Sequence, residues 1–351
     1  MTTNTKISEN IVLNNGICMP INGFGCFGLE AGADAENAVY NAIKIGYRHI
    51  DTAYSYLNEN SVGIAVKKCI EEGICKREDL FITTKLTDEQ MGYNKALEAF
   101  ELSLERLGLD YIDAWLIHTP GRGFEDWEDK QIDTWRAMEK IYKEGRVRAI
   151  GLSQFEIKHL IPLLQKAEII PQINQLELHP SFKQTELTEF CIKNGIVCGA
   201  WGSLNKGAIV KIDLIQNLAE KYQKTPSQIA LRWSIQKGFA PISKTRNIKH
   251  LEENYNIFDF ELSEEDMKSI DSIEAIHGWY SSYGSAYREM KPATKIDVNS
   301  MVLPIFPQSF TYYLFSFIPI LKIKNVSNRK SIILLFGFIP LLKRKRKWEG
   351  D

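Results

Sequence analysis

The sequence predicts an α/β fold, a (β/α)8 TIM barrel with a C-terminal apolar-basic extension, on three observations. Between about Ile21 and Phe258, short apolar runs alternate with helical stretches eight times. The runs are continuous in hydrophobicity, as strands covered on both faces must be. Gly46, Gly73, Gly108, Gly145, Gly195 and Gly238 each follow a helical stretch, where a left-handed residue closes a helix. Repeated strand–helix units imply a parallel sheet, and eight over roughly 250 residues suit a closed barrel.

The elements follow in order. Ile21–Gly25 is the first strand, with a helix opening near Asp34 or Ala35. Tyr47–Asp51 precedes a helix over Glu59–Glu72, and Leu80–Lys85 precedes one over Asn94–Leu107. Tyr111–His118 is followed by Ile132–Glu144, and Val147–Leu152 by Ile157–Ala167. Ile173–Leu176 leads to Thr185–Lys193, and Ile196–Trp201 to Leu214–Tyr222 and Ser227–Gln236. Phe239–Ile242 and Ile248–Tyr255 complete the pattern. Thr225 followed by Pro226 reads as an N-cap with proline at the first helical position. Gly23-Phe-Gly25-Cys-Phe-Gly28 fits GxGxxG, but six residues separate it from the next helix, so a Rossmann loop is not expected.

The chain has 351 residues, 44% of them hydrophobic and 25% charged, which excludes wholesale disorder and a disulfide miniprotein. Its net charge of −1 conceals an asymmetry. Residues 291–351 hold 11 Lys/Arg and 3 Asp/Glu, leaving 32 and 41 for the rest. An acidic body argues against a nucleic-acid partner, while the basic tail needs a partner of its own. Cys18, Cys26, Cys69, Cys75, Cys191 and Cys198 show neither CxxC nor metal-ligand spacing. With a polar N-terminus lacking an apolar signal core, they read as reduced thiols of a cytoplasmic protein.

In a barrel of this kind, catalytic side chains gather at the C-terminal ends of strands. Asp51, Lys85 and His118 are polar residues closing apolar strands, and Tyr56 follows Asp51 by five. Taken singly they read as an N-cap, a surface lysine, a core histidine and a packing aromatic. Taken together they form a coherent constellation. An ammonium beside a tyrosine favours the phenolate and lowers its pKa. A carboxylate holds the lysine, and a neutral histidine hydrogen-bonds a carbonyl oxygen. Such a set provides a proton donor and an oxyanion site for reducing a carbonyl with an external hydride, without a metal.

Over roughly residues 8–275 the sequence resembles the aldo-keto reductases. The resemblance rests on Gly46-Tyr-Arg-His-Ile-Asp51-Thr-Ala-Tyr-Ser-Tyr56-Leu-Asn-Glu59, Ile117-His118-Thr-Pro120, Gly151-Leu-Ser153-Gln154-Phe155, Asn174-Gln175-Leu-Glu177-Leu-His179-Pro180, Ile242-Ser-Lys244-Thr245 and Glu253-Asn254, in that order. It implies a barrel that binds NADPH without a Rossmann motif. Tyr56 would be the general acid, Lys85 paired with Asp51 would lower its pKa, and His118 would orient a small aldehyde or ketone. Hydride would pass from the nicotinamide to the carbonyl carbon. Cofactor contacts would come from Gly25, Cys26, Ser153, Gln154, Gln175, Trp201, Ser203, Leu204, Lys244, Thr245, His250, Glu253 and Asn254. The substrate pocket would be lined by Phe27, Tyr56, His118 and Thr119.

Several positions depart from the family pattern. Gln154 replaces Asn, Trp201 replaces the tyrosine beneath the nicotinamide, and Cys26 replaces threonine. Thr119 stands where a tryptophan often lines the pocket. His250 stands where NADPH-preferring members have arginine, which offers a bidentate fork that histidine lacks. A weakened NADPH preference, with NADH usable, is expected.

The division expected is a barrel over residues 1–285 and a tail over 286–351. Val298–Leu321 is an uncharged run of 24 residues interrupted by Pro304, Pro307 and Pro319, a poor spanning helix. Leu314-Phe-Ser-Phe-Ile-Pro-Ile-Leu-Lys-Ile-Lys324 recurs as Leu335-Phe-Gly-Phe-Ile-Pro-Leu-Leu-Lys-Arg-Lys345. These repeats are similar to tails of bacterial surface-polysaccharide glycosyltransferases. Apolar blocks followed by cations suit peripheral contact with an anionic membrane through residues 298–347, at the inner face of the cytoplasmic membrane; docking to a partner protein and a disordered extension are the alternative readings of the tail. The leading functional expectation is an NAD(P)H-dependent carbonyl reductase. Its alternatives are a cofactor-binding regulatory or scaffold subunit tethered by the tail, and an enzyme running towards alcohol oxidation.

Overall fold

In the computed structural model, eight parallel strands close into a barrel, and a hairpin precedes them. The structure describes residues 9–121 and 125–275, together with the strands of residues 311–313, 319–326 and 329–333. The chain divides into two units, residues 9–301 and a second unit that takes in residues 302–351.

The hairpin is β1 (Asn10–Val12) and β2 (Cys18–Pro20), paired antiparallel with Val12 opposite Cys18. The barrel strands are β3 (Gly23–Gly25), β4 (His49–Asp51), β5 (Phe81–Leu86), β6 (Ile112–Ile117), β7 (Val147–Ser153), β8 (Ile173–Glu177), β9 (Val197–Trp201) and β10 (Ala240–Ser243). Each pairs with its successor, and β10 closes on β3. Between them lie α1 (Ala33–Ile45), α2 (Glu59–Glu71), α3 (Tyr93–Leu107), α4 (Trp127–Lys143), α5 (Ile157–Lys166), α6 (Thr185–Lys193), α7 (Asp213–Tyr222) and α8 (Pro226–Gln236). α9 (Ile248–Tyr255) and α10 (Glu264–Asp271) follow β10.

All eight strands and nine of the helices lie where the sequence pattern places them. The six helix-ending glycines all have positive φ. Thr225 Oγ1 accepts from Gln228 N at 3.3 Å, with Pro226 at the first helical position. Gly23 and Gly25 lie inside β3 and α1 opens only at Ala33, so the GxGxxG match forms no phosphate-binding turn.

Three features differ from the sequence reading. α4 begins at Trp127, five residues earlier than the apolar pattern suggests. Its first turn holds Glu128 and Asp129, which the positive end of a helix dipole favours, and Trp127 is buried. The β1–β2 hairpin was not expected. It turns through Asn14, Asn15 and Gly16, and its asparagines tie it to the barrel. Asn14 Nδ2 donates to Pro171 O, just before β8, and Asn15 Nδ2 to Arg148 O, early in β7. The hairpin therefore sits at the N-terminal end of the barrel, away from the polar strand ends. α10 was also missed. Ser263 Oγ caps it, and Trp233 Nε1 donates to Asp271 Oδ1 at 2.9 Å to fasten it to α8.

The main apolar core is the ring between strands and helices, built from Phe24, Ile50, Ile82, Trp115, Ile150 and Leu152 against Val62, Phe100, Met138 and Leu160. Helices pack closely where glycine allows it. A Cβ on Gly63 of α2 would lie 2.1 Å from Leu107 O at the end of α3, so no larger residue fits there. Strand register places Asp51, Thr83, Lys85, Leu116, Gly151, Gln175 and Gly199 on the inward face. The barrel interior is thus polar towards its C-terminal end.

In the second unit, β11 (Thr311–Tyr313), β12 (Pro319–Val326) and β13 (Arg329–Ile333) form an antiparallel sheet in chain order. Residues 319–324 of the first repeat belong to β12. The rest of that repeat, the whole second repeat and the 285/286 boundary lie outside the described residues. Among the described residues no helix is long and apolar enough to cross a membrane.

Candidate active site

The site begins with a buried lysine. Lys85 is near the end of β5, points into the barrel and is fully buried. An ammonium there requires acceptors for three protons. It donates to Asp51 Oδ1 at 2.7 Å, to Thr52 O at 2.9 Å and to Tyr56 Oη at 3.3 Å. Asp51 spends its other oxygen on Gln175 Nε2, 2.7 Å away on β8. Burial alone would push the lysine pKa down, but Asp51 and Tyr56 outweigh it and the net direction is up. Lys85 is therefore held as a cation.

Tyr56 lies in a single 3-10 turn, Tyr54–Tyr56, which leaves the strand and returns through Leu57 in a left-handed conformation (φ 59°). Half-buried, it points its hydroxyl at Lys85. Burial pushes the phenol pKa up, and Asp51 adds to this. Lys85 pulls it down, but the net direction is upward. Lys85 thus acts in the expected direction, but against a larger burial effect, and the hydroxyl keeps its proton.

His118 follows β6, with its backbone N–H on Leu86 O at 3.0 Å. Its ring stands edge-on to Tyr56, with centroids 5.6 Å apart. Burial, then the Lys85 cation, lower its pKa to about 3, so it is neutral. Phe27, 55% exposed, stands edge-on to Tyr56 at 5.1 Å. The Thr119 hydroxyl donates to Asp88. Four strand ends thus bring Asp51, Tyr56, Lys85, His118, Phe27 and Thr119 to one place.

The remaining candidates are distributed along the same end of the barrel. Gly25 and Cys26 close β3, and Cys26 N donates to Asp51 O at 2.8 Å. Its thiol is buried and pushed up by burial. Ser153 ends β7, and Gln154 follows in a left-handed conformation (φ 63°) with its N–H on Gln175 O. Because Gln175 gives an amide proton to Asp51, it belongs to the lysine network as well as to the expected cofactor contacts. Trp201 ends β9 opposite Glu177. Ser203 donates to Ala200 O at 2.7 Å, with Leu204 beside it. Lys244, Thr245 and His250 lie on the segment from β10 into α9. Thr245 Oγ1 accepts from Asn247 N, and His250 N is 3.3 Å from its cap Asn247 Oδ1. Glu253 is 3.9 Å from Lys249, and buried Asn254 accepts at its carbonyl from Asn22.

The sequence reading missed two participants. Arg246 binds Asp34 with two nitrogens, each at 2.7 Å, and reaches Gly28 O at 2.8 Å. This joins the loop after β3 to the loop after β10, and Asp34 is held at a pKa of about 2, chiefly by its Arg246 hydrogen bond. Lys244 is pushed down by desolvation and then by Arg246. A second cation two residues after Lys244 was the available signal. The other participant is Ser55, whose Oγ is 3.3 Å from His118 Nδ1; its adjacency to Tyr56 was the only sequence cue.

The match to known proteins agrees with this geometry. The pattern of the Aldo/keto reductase family covers residues 23–275. The glyoxal reductase of Bacillus subtilis is 47% identical over 77% of this chain and 94% of its own length. The NAD(P)H-dependent D-xylose reductase of Scheffersomyces stipitis is 38% identical, covering 76% and 94%. The crystal structure of a Bombyx mori aldo-keto reductase in complex with NADP superimposes with a TM-score of 0.70, at 34% identity over 76% of this chain and 92% of that one. The barrel and its polar strand ends are those of an oxidoreductase. The chain belongs to the aldo/keto reductase family.

Three buried imidazoles give the protein an acid limit. His49, His118 and His159 have folded pKa values of about 4, about 3 and about 3, in each case chiefly through burial. Below pH ~6.5 the unfolded chain binds protons that the native state refuses. Stability is therefore expected to fall as pH drops from about 6.5 towards 4, by up to about 1.4 kcal/mol per pH unit per imidazole. Calorimetric Tm measured across that range checks this. His159→Asn, outside the site, should flatten the slope, and a flat wild-type profile would contradict the assignment.

Proposed function

We propose that the chain reduces small aldehydes or ketones with NADPH, with NADH usable, and that Tyr56 gives the proton. The observation that carries this reading is the Asp51–Lys85–Tyr56 chain beside a neutral His118. Lys85 already donates to Tyr56 Oη, so the tyrosine's own proton is free to be given outward. When it leaves, the phenolate faces a cation that Asp51 and Thr52 hold in place. Upward pressure from burial keeps the phenol protonated until a substrate oxygen gains negative charge. His118, neutral, orients that oxygen.

The donor set suits the cofactor. Lys244 and Arg246 put two cations on one exposed loop with His250 beside them, the chemistry a phosphate ester requires. Ser153, Gln154, Gln175 and Trp201 would hold the nicotinamide end, with Gly25 and Cys26 at the inner wall. Ser203, Leu204, Lys244, Thr245, His250, Glu253 and Asn254 would hold the remainder. When bound, NADPH supplies the hydride. Phe27 and Thr119 line a pocket whose polar groups Ser55, Thr119 and Asp88 favour small oxygen-rich substrates. Since a glyoxal reductase is among the relatives, 2-oxoaldehydes lead the panel.

Following NADPH absorbance with aldehydes, Tyr56→Phe should lose about 10²–10⁴-fold in turnover while still binding NADPH. Near wild-type turnover in that variant would overturn the mechanism. Tight NADPH binding without turnover in the wild type would favour the regulatory or scaffold reading.

Arg246 substitutes for the arginine absent at 250, with its charge partly neutralised by Asp34. Arg246→Ala should weaken NADPH about five-fold, the effect of an exposed ion pair, and leave NADH unchanged in a tryptophan-fluorescence titration. Equal weakening of both cofactors would remove the phosphate assignment.

The tail's sequence favours a further element. Residues 298–347 attach the chain peripherally to an anionic membrane, at the inner face of a cytoplasmic membrane. The full-length protein should sediment with anionic vesicles at low salt and be released at high salt. Remaining in the supernatant would overturn the attachment.

A further inference from the structure

His118 carries a single ring proton, and its place decides what the residue can do. The hydrogen bond made by one ring nitrogen determines which nitrogen holds the proton. Among the described residues, the side chain hydrogen-bonded to the His118 ring is Ser55, with Oγ 3.3 Å from Nδ1. Both partners are fixed by their backbones. Ser55 is the middle residue of the turn closed by Tyr56 N on Ala53 O at 3.0 Å and Leu57 N on Tyr54 O at 3.2 Å. The next residue, Tyr56, is anchored by Lys85. His118 is anchored by its N–H on Leu86 O and by the Tyr56 ring against its own.

A serine hydroxyl can donate or accept. If it accepts from Nδ1–H, Nε2 presents a lone pair and repels a carbonyl oxygen. If it donates to Nδ1, Nε2 keeps the proton and can hydrogen-bond that oxygen. We propose that Ser55 is a positioning residue: its hydroxyl donates to His118 Nδ1 and holds the imidazole in the Nε2–H form that engages the substrate carbonyl. This deepens the reductase reading and rests on it. The same short turn would then supply the proton donor, Tyr56, and set the proton on the second group that meets the substrate oxygen.

The bond is longer than the usual hydroxyl donor distance and Ser55 is exposed, so the tautomer bias is moderate. Loss of the hydroxyl should lower kcat/KM for an aldehyde about five-fold. The test uses the full chain with nitrogen-15-labelled histidine and long-range proton–nitrogen correlation spectra at neutral pH. The His118 signals are identified by their absence in His118→Asn. Wild type should show the Nε2–H form, Ser55→Ala a mixture of tautomers, and Ser55→Thr the wild-type pattern with kcat/KM restored. An Nδ1–H wild type, or an unchanged tautomer in Ser55→Ala, overturns the proposal even if the aldehyde is reduced. The expected tautomer shift in a protein that turns over no aldehyde upholds the Ser55–His118 link and overturns the reductase reading instead.

Discussion

A lysine ammonium inside a barrel of apolar strands is the constraint on which the site depends. Lys85 would be costly there without partners, and removing one member of such a pair typically costs about 3–5 kcal/mol. Its three protons fix three groups: the Asp51 carboxylate, the Thr52 carbonyl and the Tyr56 hydroxyl. Asp51 passes the constraint across the barrel to Gln175 on β8. One buried charge thereby aligns side chains from β4, β5, β8 and the turn after β4.

The same charge sets the protonation of its neighbours. It pulls Tyr56 down while burial and Asp51 push it up, and the second influence is larger. It adds to burial in keeping His118 neutral. The result is a protonated phenol whose conjugate base is already provided with a cation, beside an imidazole that can act as a neutral donor. The two conditions need not be tuned separately, because one ammonium contributes to both.

The outer end of the site is organised differently. Arg246, on the loop after β10, forms a bidentate pair with Asp34 in the first turn of α1, and Lys244 lies near that junction. Exposed charges of this kind contribute little to stability but can discriminate among anionic ligands. The buried Asp51–Lys85 pair thus sits on strand ends, while the Arg246–Asp34 pair sits at the solvent-facing rim.

Local pattern was enough to read the eight strand–helix units, because covered strands must be continuously apolar and helix ends favour glycine. It also exposed Asp51, Lys85 and His118, since a polar residue closing an apolar strand is conspicuous. The start of α4 and the existence of α10 were less legible, because their first turns are acidic: α4 relies on the burial of Trp127 and α10 on the Ser263 cap. Asn14 and Asn15 bind carbonyls more than 130 residues away, so the role of the hairpin could not be read locally. The pairing of Gln175 with Asp51, of Arg246 with Asp34 and of Ser55 with His118 joins residues 124, 212 and 63 positions apart. The sequence by itself determined which segments become strands and which side chains stand at their ends. Only barrel closure decided who meets whom, and with that the net direction of the Tyr56 pKa, because burial and Coulomb forces depend on distances through space.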